Sequence, residues 1–265
     1  MAVDSMPITA GVVRNARRSL ILWSGALAAV SAMYVSVFPA IGGTDMQALI
    51  EGLPDGMVEA LGYDQIGTAA GYISSTVYGL LAPILLSVFA IGAGARLIGG
   101  DEENGSLELE YTAPVGRRQV YVERMLARWA NVSVLTLVVA VATAGLARAL
   151  GLDISLVNLA GASVGLWLLT LGFGTVALAV GAATGRRAIG LGAGAGLAVT
   201  SFMLDAIGPT IDVEWMSAVS PFSWYLGERP LQNGVDVFGL LLLVLVPVLA
   251  GLAGLRAFER RDLLV

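Results

Sequence analysis

Asp101, Glu102 and Glu103 stand in a row, and Arg117, Arg118, Arg124 and Arg128 follow them closely. Acids this near to one another could share a metal ion. Here Asn104-Gly105 comes next and arginines oppose the acids, which fits a solvated charged face better than a ligand set. Ser19, Ser24 and Ser31 would need a base to act as nucleophiles. The chain has no histidine, which removes the commonest general base and metal ligand. It has no cysteine, so disulfides and thiolate metal sites are excluded. Every one of the 15 basic residues is arginine. A Walker-type glycine loop needs a lysine, so this chain cannot split ATP by a P-loop of its own. Methionines are scattered without the clustering that soft-metal transport would need. The sequence therefore offers no catalytic, cofactor-binding or metal-ligating residue, and no nucleic-acid partner is expected.

The elements around these charges are apolar. Hydrophobic residues make up 57% of the 265 positions and charged residues 13%. Soluble domains carry about 25% charged residues. Mean hydropathy is +0.81. Apolar runs long enough to cross a hydrocarbon core of about 30 Å as helices recur along the chain. They predict an all-α membrane protein with six transmembrane helices, at 20–40, 72–98, 129–150, 157–183, 188–206 and 237–255. Pro83 predicts a kink in the second, and Pro247 lies inside the sixth. The first span is too long to be the core of a cleaved signal peptide. Arg14, Arg17 and Arg18 precede it in an amphipathic helix over 8–19.

The arginines orient the spans. With the N-terminus in the cytoplasm, thirteen arginines fall inside: Arg14, Arg17, Arg18, Arg96, Arg117, Arg118, Arg124, Arg128, Arg186, Arg187, Arg256, Arg260 and Arg261. Only Arg148 and Arg229 fall outside. This is a strong positive-inside bias. It places both termini in the cytoplasm, and the acids Asp45, Glu51, Asp55, Glu59 and Asp64 outside. The outer segment 207–236 is too long for a turn. Its Trp215, Phe222, Trp224 and Tyr225 read as an interfacial aromatic belt, or as a short re-entrant or surface helical pair at the mouth of a pathway.

Small residues crowd the fourth and fifth spans. Gly161 and Gly165 form one GxxxG pair, and Gly190, Gly192, Gly194 and Gly196 form two more. Such residues let helix backbones approach closely within one subunit or between two.

The segment 99–128 holds ten of the chain's 15 basic and 20 acidic residues. A charge at the bilayer centre costs about 2.5–3.5 kcal/mol even on lenient insertion scales, so this segment is expected in water between the second and third spans. Ser106 can cap a short helix through Leu107, Glu108, Leu109, Glu110 and Tyr111. Pro114 ends it. Gly116-Arg117-Arg118 then opens an amphipathic ramp into the third span. The run Asp101-Glu102-Glu103-Asn104-Gly105-Ser106-Leu107-Glu108-Leu109, followed by Pro114-Val115-Gly116-Arg117-Arg118-Gln119-Val120 after the second of six spans, resembles the type-2 (ABC-2) ABC transporter permeases. The likeness extends over nearly the whole chain, and Glu110-Tyr111 departs from it where relatives often carry leucines.

The resemblance implies a single permease domain over 1–265, the membrane subunit of an ATP-driven exporter in the cytoplasmic membrane of a prokaryote. Two such subunits, identical or paralogous, would form the pathway. Their interface would lie mainly on the second and fifth spans, with Gly190, Gly194 and Gly196 at the dimer contact or pathway. Two copies of a separate ATPase would hold the ATP and magnesium, none of it on this chain. Glu102, Glu103, Gly105, Ser106, Leu107, Glu108, Leu109, Tyr111, Pro114, Arg117 and Arg118 would form the coupling surface. Arg14, Arg17 and Arg18 would mark the connecting helix on the membrane lipids. The cargo would be hydrophobic or amphiphilic: a drug, an antibiotic or a lipid. A structural or sensory subunit without a pathway is an alternative. An ion-coupled secondary transporter is another, although no ionisable residue is placed centrally in a span as ion coupling usually requires.

Overall fold

Among the described residues, six helices are long and apolar enough to cross a membrane. The computed structural model describes residues 7–41, 66–104, 116–208, 211 and 213–261, with the backbone alone for 7–16, 41 and 214. Helix α1 is Pro7–Ile41, α2 is Ala69–Glu103, α3 is Arg117–Ala149, α4 is Leu156–Thr184 and α5 is Arg187–Ile207. Three short helices follow: α6 (Glu214–Ala218), α7 (Pro221–Leu226) and α8 (Pro230–Asn233). Helix α9 is Val237–Arg260. No strand occurs among the described residues.

Local chemistry sets the ends. Thr68 accepts from Gly71 N at 3.0 Å and starts α2. Ser155 accepts from Asn158 N and starts α4. Asp236 accepts from Phe238 N and Gly239 N, at 2.9 and 2.8 Å, and starts α9. Each satisfies backbone donors that have no partner inside the helix. Gly185 ends α4 in the left-handed region, at φ 68°, where glycine carries no Cβ penalty. The lead expected over 8–19 is not a separate element: no glycine or proline breaks the chain at its junction with the first span, and α1 runs unbroken through both. The ramp before the third span is likewise continuous with it.

The kink foreseen at Pro83 takes the form of a π-helical stretch. Residues Ser74–Leu81 are wound as a π-helix, and Pro83 follows in the first turn of the next α-helical stretch. Proline lacks an N–H and its ring collides with the carbonyl four residues back. A wider turn is one way to accommodate both. A second π-helical stretch, Arg96–Gly100, carries α2 past its glycines to Glu103.

Side-chain contacts give the topology. Trp23 meets Phe89 and Phe38 meets Tyr72, so α1 and α2 are antiparallel. Trp129 donates to Thr175 Oγ1 at 3.0 Å and Trp167 donates to Ser133 Oγ at 2.8 Å, so α3 and α4 are antiparallel and bolted together twice. A Cβ on Gly94 would come 2.2 Å from the Gly174 carbonyl oxygen, so α2 and α4 touch backbone to backbone where both lack side chains. Helix α4 is the hub: it packs on α2, α3, α5 and α9 and is the most enclosed span. Helices α1, α5 and α9 lie outermost and present Leu22, Val199 and Phe238 at 73%, 61% and 68% exposure. So much bare apolar surface suits lipid, where burial from water does not drive association.

Candidate functional site

Two polar constructions stand at opposite ends of the bundle. The first joins the charged ends of four spans. Arg124, buried on α3, donates to Asp101 Oδ2 at 2.7 Å and to the carbonyl of Leu97. Glu102 pairs with Arg261 just after α9. Arg117 donates to the Arg261 carbonyl at 2.7 Å. Glu103 Oε1 accepts from the backbone N–H of Arg187 at 3.0 Å. Arg187 is the first residue of α5, and Arg186 before it provides no side-chain cap. Glu103 thus puts a carboxylate on the positive N-terminal end of α5. Gly99 makes the approach possible, since a Cβ there would come 3.0 Å from the Arg186 and Arg187 backbone. The three consecutive acids therefore engage three different elements. Each meets a cation or an N–H. Among the described residues no group of acids could hold a metal ion.

A small apolar cluster lies beneath this clasp: Leu97, Ile98, Tyr121, Leu178, Ala182 and Phe258. Tyr121 and Val120, expected on an aqueous ramp, are buried. The charged segment is thereby folded onto the bundle at both of its described ends.

The second construction is at the other end. Helix α7 enters the bundle. Phe222 is buried and meets Phe173 and Phe202, with ring centroids 5.9 and 5.5 Å away. The Tyr225 ring abuts Gly165, where a Cβ would come 2.8 Å from it. At about 1.5 Å rise per residue, Gly165 lies about 14 Å along α4 from Leu156. Irregular backbone at such depth must find internal partners. Ser220 donates to the Ser201 carbonyl at 2.7 Å, Phe222 N donates to Ser201 Oγ at 3.1 Å, and Ser223 donates to Asp205 at 2.6 Å. The aromatic-belt reading thus fails for Phe222 and Tyr225, which are core residues, and suits Trp215, 62% exposed. Three short helices stand where a pair was expected. A cavity of about 350 Å³ opens beside them, lined by Gly165, Trp224, Glu228, Asp236 and Leu240 among others.

The sequence-derived residues divide as follows. Glu102, Glu103 and Arg117 belong to the clasp, and Arg118 is exposed at its edge. Gly105, Ser106, Leu107, Glu108, Leu109, Tyr111 and Pro114 lie outside the described residues. Arg14 is in α1, with Arg17 and Arg18 exposed further along it. Gly190 and Gly194 pack inside the chain. A Cβ on Gly190 would come 2.5 Å from the Ala177 carbonyl, and one on Gly194 2.9 Å from the Ala177 Cβ. Their place is the α4–α5 contact, because each faces the hub. Gly196 faces outward, with nothing near. Sequence reasoning missed the roles of Tyr78, Ser163, Arg261 and Asp205. Only Pro83 gave a signal, by marking α2 as distorted beside Tyr78.

A family model described as "ABC-2 family transporter protein" matches residues 6–263. No curated protein matches the chain in sequence. The match spans nearly the whole length, and the chain belongs to the ABC-2 transporter family. It is an integral membrane protein and a permease subunit of an ABC transporter.

Proposed function

We propose that this ABC-2 permease subunit exports a hydrophobic or amphiphilic cargo from the cytoplasm of a prokaryote, as one of a pair driven by two copies of a separate ATPase that holds the ATP and magnesium. The observation that carries the proposal is the clasp. Asp101, Glu102 and Glu103 tie the end of α2 to α3, to the chain just after α9 and to the start of α5. A push delivered to Glu103 or Arg117 would reach all four spans through these contacts. Closure of the ATPase pair would bias the bundle between two arrangements, which is how a ligand with different affinity for two states moves an equilibrium.

Sidedness follows the positive-inside pattern: the clasp faces the cytoplasm and α6 to α8 face outward. The largely apolar outer cavity, with Glu228 and Asp236 on its wall, suits a cargo with an apolar body and a polar end. Arg118 offers the test, because it is exposed and the chain has no cysteine of its own. A cysteine at Arg118 should crosslink to the co-expressed ATPase, and one at Val219 should not. Crosslinking from Val219 and never from Arg118 would overturn the arrangement.

A further inference from the structure

The outer cavity carries charge of one sign. Among the described residues its wall has two carboxylates, Glu228 and Asp236, and no cationic side chain. Neither acid makes an ion pair with a described residue. A third acid, Asp205, stands behind the wall and accepts at 2.6 Å from Ser223 of the lining. The turn after α7 fixes Glu228. Arg229 sits at φ 53°, its carbonyl accepts from Gln232 N and Asn233 N, and the Asn233 side chain donates to the Glu228 carbonyl at 3.0 Å. Asp236 is fixed by the N–H groups of α9 that it caps, and its two oxygens keep lone pairs for a further donor. The Trp224 indole donates to the Ala218 carbonyl at 2.8 Å, which engages its one polar atom and leaves the ring as apolar wall. Leu240 and Leu242 of α9 and Gly165 of α4 continue the lining deeper along their helices.

We infer that this cavity takes a cationic amphiphile: a protonated or quaternary amine on an apolar body. The inference rests on the export reading above and names its cargo class. A volume of about 350 Å³ lies within the roughly 300–1,000 Å³ of small-molecule sites, which are mostly apolar with a few placed polar groups. Charges of one sign on a concave, low-dielectric wall concentrate field lines and draw in a cation. An aromatic ring attracts the same charge through its face. An anionic amphiphile would meet two like charges, and a neutral one would gain only the apolar contact. The cation would neutralise Glu228 and Asp236, and the apolar body would lie against Trp224, Leu240 and Leu242.

The test uses the full chain in phosphatidylcholine nanodiscs. Tetraphenylphosphonium is the cationic probe and triphenylphosphine oxide its uncharged analogue, each measured by equilibrium dialysis with empty discs subtracted. The unaltered protein should prefer the cation about twentyfold, as for two partly exposed ion pairs. Glu228→Gln, at an exposed position, should lower cation affinity about fivefold and leave the analogue unchanged. Asp236→Asn should do the same while keeping the start of α9, since asparagine caps as well as aspartate. The double variant should lose the preference. Glu259→Gln, exposed at the clasp end of α9, should bind as the unaltered protein does. Equal affinity for the two probes, or a preference that survives the double variant, overturns the assignment. The crosslink from a cysteine at Arg118 to the ATPase reads the export arrangement separately. A missing preference with that crosslink intact therefore rejects the cationic class and leaves export standing.

Discussion

The Tyr225 hydroxyl donates a 3.0 Å hydrogen bond to the carbonyl of Tyr78, and the two residues belong to elements far apart in the chain. The bond repairs a defect that Pro83 creates. In the π-helical stretch the Ala82 N–H goes to the Val77 carbonyl. The next donor in that register would be residue 83, which as proline has none. The Tyr78 carbonyl is left for a donor from outside, and α7 brings it. Tyr78 in turn hydrogen-bonds to Ser163 of α4 at 2.9 Å. A distortion in α2 thereby fixes where α7 sits against α2 and α4.

Tyr225→Phe should therefore cost about 1–3 kcal/mol, the usual penalty for a buried acceptor left without a donor. Thermal unfolding in detergent would show a lowered Tm. Pro83→Ala supplies an N–H at the place of the defect, so in the Tyr225→Phe background it should recover part of the loss. A double-mutant cycle reads the coupling, and strict additivity of the two changes would refute the repair.

Glycines on one helix should respond in opposite ways. Gly194→Ala forces its Cβ to within 2.9 Å of Ala177 and should destabilise the subunit by about 1–3 kcal/mol through overpacking. Gly192→Ala meets nothing within 4 Å and should be neutral, or stabilising by about 0.5–1 kcal/mol from helix propensity. Equal effects on Tm would mean that α5 is rotated from the orientation described.

The clasp predicts unequal costs for its charges. Asp101→Asn leaves Arg124 charged at 2% exposure and should cost about 3–5 kcal/mol, as for a broken buried pair. Arg118→Gln, at an exposed position on its edge, should cost about 1 kcal/mol or less. Chemical unfolding of the two variants ranks them, and the reverse order would refute the clasp as the tie between α2 and α3.

Coupling should depend on apolar contact more than on charge. Leu109→Asp is expected to separate the permease from its ATPase, or to abolish transport-linked ATP hydrolysis, while the subunit still inserts. Burying one such leucine is worth about 1.5–3 kcal/mol, more than the rim charge of Arg118. Unchanged co-purification and transport in the Leu109→Asp variant would make the segment a solvated loop.

Sidedness is open to direct labelling. Single cysteines at Arg118 or Arg187 should react with an impermeant reagent only after cells are opened, and cysteines at Arg148 or Trp215 should react in intact cells. Labelling of position 118 from outside would invert the orientation.

The sequence alone determined the number of spans, their order and the end of the bundle that gathers the arginines. These follow from the cost of placing charge or an unpaired backbone in hydrocarbon, which each stretch meets on its own. It also marked Pro83 as a distortion and an outer segment too long for a turn. Rotation of each helix about its axis was beyond it. In water, a polar stripe shows which face looks outward. In lipid, both faces of α5 are apolar and small, so Gly194 and Gly196 look alike until α4 is seen against one of them. The same holds for Phe222 and Tyr225, which read as a surface belt and fill the core. The pairing of Glu102 with Arg261, and of Glu103 with the start of α5, joins residues far apart in the chain, and no local pattern encodes such a match. Only the packing of α4 against its four neighbours brings those ends together.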